Sequence, residues 1–387
     1  ETFLQKKNIK AEIFYQEEPL GTAHAALAAH RVLLEEYPCV FLAFGDTPLI
    51  RSSTLQMAQE KICQGAQLLL FGFYTEKPFG YGRLLEKEGK IACIVEEKDA
   101  TEVEKNISYC NGGIMAVSGK KLLSWLRQVK ADNAQKEFYL TDIVKIAVKE
   151  GARVEALTVE QEEVLGVNTR ADLAHVENIW QGRKREEALK MGATLRLPET
   201  IYFSYDTQLA QDVVVEPHVY FAPGVTVGSH SHIRSFSHLE GVEIGEGVQI
   251  GPFARIRSTS KLAKNVKIGN FCEIKNTQIE EGAKINHLSY MGDSFIGAGS
   301  NIGAGTISCN YDGVDKYTTH IGQNSFVGSN TCLVAPVKIG KGAYIATATI
   351  VTKDVPAGAL AIGRVRQENK LGYAVKLRKQ KQEKEKT

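Results

Sequence analysis

Residues 242–251 read VEIGEGVQIG, and their two Ile-Gly steps, Ile244-Gly245 and Ile250-Gly251, stand six residues apart. An aliphatic residue followed by Gly recurs at Ile268-Gly269, Ile296-Gly297, Ile302-Gly303, Ile321-Gly322, Val327-Gly328 and Ile339-Gly340. The intervals are 6, 18, 28, 6, 19, 6 and 12, so five of the seven are multiples of six. The 28 and the 19 are expected to mark insertions. A hexapeptide period, followed here from about 213 to 363, is the signature of a parallel β-helix. Three hexads make a coil of roughly 18 residues, and coils stack at roughly 4.8 Å, the spacing of paired strands. The aliphatic side chain points into the prism, and the Gly after it is expected to serve a tight corner.

The chain has 387 residues, enough for two domains with separate cores. Its halves differ: 21 of the 35 Gly lie after residue 200, whereas Trp125 and Trp180 both come before it. A net charge of +2 gives no global basic field for nucleic acid. No apolar run approaches the roughly 18 residues of a membrane span, and no signal peptide opens the chain. Seven Cys without a C-x-x-C read as thiols of a cytoplasmic protein, not a disulfide framework. The chain begins with Glu1, which reads as a fragment or a processed start.

Residues 1–169 read as α/β. Cys39–Phe44, Gln67–Phe73, Ile91–Val95 and Ile107–Val117 are strand candidates, with helices expected over Thr22–Glu36 and Ser118–Val129. Such alternation implies a largely parallel sheet with ligands beyond the carboxyl ends of its strands, where Asp46 stands. Residues 170–192 form a linker helix, capped by Asn168 or Thr169, with Leu173, Val176, Ile179, Trp180 and Leu189 as its apolar face and Gly192 as its stop. The β-helix is expected over 193–373, and 374–387 as a Lys-rich, solvated and frayed tail.

Four blocks of the second half carry a resemblance: Gly-Pro-Phe-Ala-Arg-Ile-Arg (251–257), Gly-Asn-Phe-Cys-Glu-Ile-Lys (269–275), His-Leu-Ser-Tyr-Met-Gly-Asp (287–293) and Asn-Ile-Gly-Ala-Gly-Thr-Ile-Ser-Cys-Asn-Tyr-Asp-Gly (301–313). The first half adds Pro-Leu-Gly-Thr-Ala-His (19–24), Gly-Asp-Thr-Pro-Leu-Ile (45–50), Gly-Tyr-Gly-Arg (80–83), Ile-Val-Glu-Glu-Lys-Asp-Ala (94–100), Asn111 and Gly-Val-Asn (166–168). Together they resemble the bacterial bifunctional enzymes that acetylate glucosamine-1-phosphate and uridylylate the product. Such enzymes supply UDP-N-acetylglucosamine for peptidoglycan and lipopolysaccharide. The resemblance implies a Rossmann-like nucleotidyltransferase domain followed by a left-handed parallel β-helix. It also implies a cytoplasmic homotrimer acting on glucosamine-1-phosphate, acetyl-CoA, UTP and N-acetylglucosamine-1-phosphate, with no membrane or nucleic acid partner. Pro19, Phe44, Gly112 and Thr347 depart from the family pattern, which has Gln, Tyr, Thr and Ala there. The family's opening Gly-rich loop, with an Arg and a Lys for the triphosphate, has no counterpart here, so impaired uridylyl transfer is expected.

Amide formation from a thioester needs a base and a donor for the developing oxyanion. By the resemblance, His287 is the base, and Glu273 orients it or holds the substrate ammonium. Arg257 and Lys275 suit a phosphate, and at 18 residues apart they should stack on one face of successive coils. Tyr290 and Asn301 match sugar contacts. Ala304, Asn310, Tyr311, Lys316, Ser329, Thr347 and Arg364 match acetyl-CoA positions, with the Ala304 N–H as oxyanion donor and Asn310, Tyr311 and Lys316 on a loop ejected from the solenoid.

For uridylyl transfer, the resemblance assigns Mg²⁺ to Asp46 and Asn168, oxygen donors suited to a hard ion. Gln16, Gly21 and Thr22 match uracil contacts. Gly82, Glu96 and Asn111 match sugar contacts, and Phe44 and Gly45 flank Asp46 in the same site. Two other readings exist. One is a metal hydratase built on His218, His230, His232 and His238, although His232 and His238, one hexad apart, should fall on different faces. The other is a nucleotide-sugar-binding module without chemistry.

Overall fold

The computed structural model describes residues 4, 9–35 and 37–384. The chain divides into two compact units, Glu1–Trp180 and Gln181–Thr387. The strands of the first unit are β1 Val40–Leu42, β2 Leu68–Tyr74, β3 Arg83–Lys87, β4 Lys90–Val95, β5 Tyr109–Val117 and β6 Val154–Thr158. They form one sheet in the order β4-β3-β5-β2-β6, with β1 also paired to β5. The expected largely parallel sheet is corrected to a mixed one. Only β2 and β6 pair in parallel; β1, β2 and β3 each lie antiparallel to β5, and β3 to β4. Parallel neighbours need crossover connections, and between β2 and β5 there is no helix longer than the 3-10 turn Glu104–Asn106.

Helices cover both faces of this sheet: α1 Thr22–Ala28, α2 Ser52–Cys63, α3 Gly119–Leu126 and α4 Asp142–Lys149. Successive residues of a strand point to opposite faces. Leu68 and Leu70 accordingly pack with Leu122, Trp125, Ile143 and Val144, while Leu69 and Phe71 pack with Ala58 and Ile62. Of the helix expected over Thr22–Glu36, only α1 and the 3-10 turn Val32–Leu34 form, and Glu36 lies outside the described residues. Strands β3 and β6 and helices α2 and α4 had no sequence assignment.

Helix α5, Arg170–Lys190, is capped at its start by a reciprocal exchange. Thr169 N–H donates to Asp172 Oδ2 at 2.8 Å, and Asp172 N–H donates to Thr169 Oγ1 at 3.1 Å, which satisfies two orphan donors of the first turn. At the other end Gly192 takes φ +94°, a conformation glycine adopts at low cost. The expected apolar face is only partly used: Val176 is buried, but Leu173 and Leu189 are 54% and 46% exposed. Gln181 is buried instead, donating Nε2 to Phe203 O at 2.7 Å and accepting Phe203 N–H at 2.9 Å.

The second unit is a prism of three parallel sheets, here called faces I, II and III, with 8, 8 and 10 strands. Face I runs from Tyr220–Phe221 to Ile350–Val351, face II from Gln208–Leu209 to Val337–Ile339, and face III from Thr194–Leu195 to Leu360–Ala361. On face I the partners Tyr220, His238, Arg255, Glu273, Tyr290, Ile307, Cys332 and Ile350 are separated by 18, 17, 18, 17, 17, 25 and 18 residues. The single long coil holds the ejected loop 310–318, which explains the 19-residue interval. The 28-residue interval is not an insertion. Ile268 pairs with Ile285 one short coil of 17 residues away, and Ile296 follows 11 later, so two residues are missing from the ideal 30.

The role expected for the glycines holds at Gly251, which takes φ +89°, and is corrected at the other seven, none of which has a positive φ. Gly303 and Gly322 have no positive φ; a Cβ there would meet Ser329 N and Lys341 N of the next coil at 2.6 Å. Stacked backbones, not corner dihedrals, exclude a side chain at these positions. The left-handed corners fall to other residues, among them Phe253, Phe271, Leu288 and Asn330. Ile244, Ile250, Ile268, Ile302 and Ile321 fill the prism as expected. After face III ends, Tyr373–Lys384 forms helix α6 rather than a frayed end, because Lys, Arg, Gln, Glu and Ala are good helix formers. The last three residues of the expected tail, 385–387, lie outside the described residues. No helix among the described residues is long and apolar enough to cross a membrane.

Candidate active sites

Each coil passes from face III to face I through a corner, and that corner builds one column. Leu288 N–H donates to Asn270 O, Gly305 N–H to His287 O, Asn330 N–H to Ala304 O, and Ala348 N–H to Ser329 O. Asn270, His287, Ala304, Ser329 and Thr347 therefore occupy equivalent positions on successive coils. Four expected acetyl-transfer residues thus share one line, which descends at roughly 4.8 Å per coil. Such a line suits an extended thioester chain. Asn301 lies on the face III strand Asn301–Ile302, three residues before Ala304. Arg364 is exposed and follows Gly363, whose carbonyl accepts Ile350 N–H at the foot of the column.

His287 is exposed, and its Nδ1 lies 2.9 Å from Asn270 Oδ1. With the amide oxygen accepting, Nδ1 carries the proton and Nε2 keeps its lone pair for a base. Orientation of His287 by Glu273 is corrected: Glu273 Oε1 accepts Arg257 Nε at 2.8 Å, and Asn270 is the orienting partner. Asn270 had no sequence assignment, although it lies 17 residues before His287, one short coil.

Face I beside this column carries the charged pair. Arg257 and Lys275 are direct strand partners, as the 18-residue spacing predicts. Glu273 pairs with Tyr290, and Lys275 with Gly292. A Cβ on Gly292 would collide with the Tyr290 hydroxyl and lie 3.0 Å from Asn310 Nδ2. Gly292 is thus the gap that lets the Tyr290 ring lie beside Asn310. Asn310, Tyr311 and Lys316 stand on the ejected loop, at the opposite corner of face I from His287. Tyr311 and Lys316 form an antiparallel bridge, and Tyr317 N–H donates to Asn310 O at 2.8 Å, closing the neck of the loop.

In the first unit a cleft of about 420 Å³ is lined by Thr22, Phe44, Asp46, Gly82, Glu96 and Asn111, along with residues of the 135–141 segment. Gln16 and Gly21 stand behind Thr22: Gln16 Nε2 donates to Gly21 O at 3.1 Å, and Thr22 Oγ1 accepts Leu140 N–H at 2.9 Å. Gly21 takes φ +118°, and a Cβ there would meet Phe138 O at 2.6 Å, so this turn requires glycine. Asn111 N–H donates to Gly82 O at 2.8 Å. Burial pushes the Glu96 carboxyl above its ordinary value, against the lowering effect of the Thr141 hydroxyl, which donates to it at 2.8 Å. The departure at Gly112 has a packing cause, since a Cβ would lie 2.7 Å from Val164 Cγ1 and 2.9 Å from Phe71 O.

Asp46 and Asn168 are exposed, and Asp46 O accepts Val167 N–H at 2.9 Å, which joins their two segments. A Cβ on Gly166 would lie 3.8 Å from Asp46 Oδ2 and 3.9 Å from Asn168 Nδ2. Both side chains therefore come within 4 Å of one point beside Gly166 and face the same space. An open space between a carboxylate and a carboxamide fits a hard cation that also binds phosphate and water. Gly45, next to Asp46, has no atom near its missing side chain.

Arg83 closes the quoted Gly-Tyr-Gly-Arg block but had no role assigned from the sequence. It is 1% exposed and donates to Glu97 Oε2 at 2.7 Å, to Lys105 O and to Tyr81 O, and Gly80 N–H donates to Glu97 as well. It ties the 80–82 turn to the Glu96–Glu97 segment. Hydrogen bonding from Arg83 holds the Glu97 carboxyl below its ordinary value. The histidines of the hydratase reading have other partners. His232 meets Glu216 at 2.8 Å on face III, His238 stacks on Tyr220 on face I, and His218 stacks on Phe236. Among the described residues no group of three His, Cys, Asp or Glu forms a metal site.

The nucleotidyl transferase family matches residues 2–182, and the bacterial transferase hexapeptide family matches residues 241–276. Three relatives, each a bifunctional protein GlmU, match almost the whole chain. That of Bartonella quintana is 52% identical over 366 residues, covering 95% of this chain and 82% of the relative. That of Agrobacterium fabrum is 50% identical over 378 residues, 96% and 82%. That of Zymomonas mobilis is 46% identical over 393 residues, 99% and 86%. A solved UDP-N-acetylglucosamine acyltransferase from Francisella novicida aligns at TM-score 0.30 and 18% identity over 42% of this chain and 65% of its own, too distant to carry an argument.

Proposed function

The chain belongs to the family of bifunctional GlmU proteins, and we propose that its β-helix transfers the acetyl group of acetyl-CoA to the amine of glucosamine-1-phosphate, while its first unit holds the site for uridylyl transfer from UTP to the acetylated sugar phosphate. The observation that carries the first half is the register of face I with its corner. Arg257 and Lys275 stand side by side as phosphate donors, and His287, Ala304, Ser329 and Thr347 run down the adjoining edge.

The chemistry follows from that layout. Arg257 offers a planar fork and Lys275 a point charge to a phosphate. Tyr290 and Asn301 would hold the sugar. His287 Nε2 takes a proton from the amine as nitrogen attacks the thioester carbonyl. The Ala304 N–H stabilises the oxyanion until the C–S bond breaks and the thiolate leaves, taking up the proton that His287 holds. Asn310, Tyr311, Lys316, Ser329, Thr347 and Arg364 would contact the coenzyme. In the first unit, Asp46 and Asn168 would hold Mg²⁺, which neutralises phosphate charge during transfer. Gln16, Gly21 and Thr22 would face uracil, with Gly82, Glu96 and Asn111 at the sugar. A homotrimer and a cytoplasmic location belong to the same reading, the latter supported by seven unpaired cysteines.

The test is release of coenzyme A thiol by the purified chain with acetyl-CoA and glucosamine-1-phosphate. Thiol release that depends on the sugar phosphate is expected. Its absence in a folded sample would overturn the acetyl-transfer reading. For the first unit, calorimetric binding of UDP-N-acetylglucosamine with Mg²⁺ is expected to weaken in Asp46→Ala.

A further inference from the structure

Asp293 had no assignment from the sequence, yet its side chain and backbone both hold the ejected loop. Its Oδ2 accepts the Asn310 side-chain amide at the start of the loop. Its carbonyl accepts Thr319 N–H at 3.2 Å where the loop returns to face II. Its Oδ1 accepts Asn276 Nδ2 at 2.7 Å from the coil before. Its N–H donates to Lys275 O at 3.0 Å, and Oδ2 lies 3.5 Å from Lys275 Nζ. The Lys275 and Asp293 side chains are only 14% and 13% exposed, so this pair is largely shielded from water. Asp293 sits at φ +47°, a left-handed conformation that Asp and Asn tolerate better than other side chains.

From this geometry we propose that Asp293 is a positioning residue for acetyl transfer, locking the 310–318 loop and the Lys275 ammonium into one arrangement and so setting the affinity for the sugar phosphate. The inference rests on the reading of Lys275 as a phosphate donor. One carboxylate accepts from three donors on the two coils that flank its own, and each donor has a distinct consequence. Asn276 fixes the carboxylate plane. Asn310 places the loop with its neighbours Tyr311 and Lys316. Lys275 is held toward the loop rather than left to sweep a cone of rotamers, so less side-chain freedom is lost when phosphate binds. Gly292, the preceding residue, supplies the gap for Tyr290 beside the same Asn310. The Gly-Asp pair at 292–293 thus serves both the sugar contact and the loop.

Asp293→Asn tests this, since Asn keeps the shape and tolerates the backbone, and Asn310→Ala removes the same bond from the loop side. Steady-state acetyl transfer would be measured beside Lys275→Met, with thermal melting of every variant. The expected result is a KM for glucosamine-1-phosphate raised on the order of tenfold in Asp293→Asn, with kcat within about threefold of the parent. The double variant Asp293→Asn with Asn310→Asp, which rebuilds a carboxylate-amide pair across the neck, is expected to recover part of that loss. An unchanged KM in Asp293→Asn beside a raised KM in Lys275→Met would overturn the inference alone. An unchanged KM in Lys275→Met would overturn the phosphate reading and the inference with it. Loss of cooperative melting with KM preserved in the folded fraction would reduce Asp293 to a structural residue and overturn the proposal.

Discussion

His287 earns its place by what holds it. Asn270 fixes one ring nitrogen at 2.9 Å, and the other is left to accept a proton. His287→Ala is expected to slow acetyl transfer on the order of 10²-fold or more, the usual cost of a lost general base. Thiol release under saturating substrates checks it, and a variant as fast as the parent would remove His287 from the reaction. Asn270→Ala should slow the reaction less, because it frees the ring without removing it. A pH effect belongs to Asp293. Burial raises its carboxyl, but the Asn276 and Asn310 amides and Lys275 outweigh this and hold it below its ordinary value. A depressed folded pKa stabilises above the unfolded value and loses that contribution as pH falls through the folded one. The Tm gap between parent and Asp293→Asn should therefore be full at neutral pH and close below the ordinary carboxylate range. A gap that stays constant down to pH 3 would contradict the charge assignment. The pairing of Arg257 with Lys275 was legible because residue type and coil spacing point the same way, whereas His287 was singled out only by the resemblance of its block. Asn270, Arg83 and Asp293 were not legible, because their partners come from other coils or from a distant turn, and one residue's chemistry does not announce them.

At the scale of the element, the six-residue period named the solenoid but misnamed all its repeat glycines except Gly251. Residues after the buried aliphatics face the next coil's backbone, and periodicity alone does not separate a tight turn from a close approach. The two causes predict different substitutions. At Gly322 a Cβ would meet Lys341 N at 2.6 Å, whereas at Gly282, with φ +68°, it would meet no neighbouring atom. Gly322→Ala should cost about 1–3 kcal/mol, as overpacking does, while Gly282→Ala should cost nearer 1 kcal/mol, the penalty of a left-handed non-glycine residue. Urea melting of the two variants would rank them, and equal losses would show that coil contact is not the constraint. The mixed sheet of the first unit was illegible for a related reason. Short apolar runs such as Leu68–Phe73 declare a buried strand but not the direction of its neighbours. That direction is set by the helix-free link between β2 and β5.

On the scale of the whole molecule, the layout of face I bears on the proposed trimer. Within one chain, His287 and the column below it occupy one edge of face I, and Asn310, Tyr311 and Lys316 occupy the other. A coenzyme lying along the His287 column is therefore contacted from one side only by that chain. A three-sided prism in cyclic three-fold packing would bring the loop edge of one copy against the column of the next. Sedimentation velocity should then report a trimer of the 42.6 kDa chain. The sharper check is complementation. His287→Ala lacks the base and Lys316→Ala lacks a loop contact, so if both variants are slow alone, mixed trimers refolded from the two chains should exceed the mean of the separate variants in thiol release. Recovered activity requires that one copy lend its loop to another copy's histidine. Mixtures that stay as slow as the separate variants, in samples shown to have exchanged chains, would confine each site to a single chain and sink the shared-site reading.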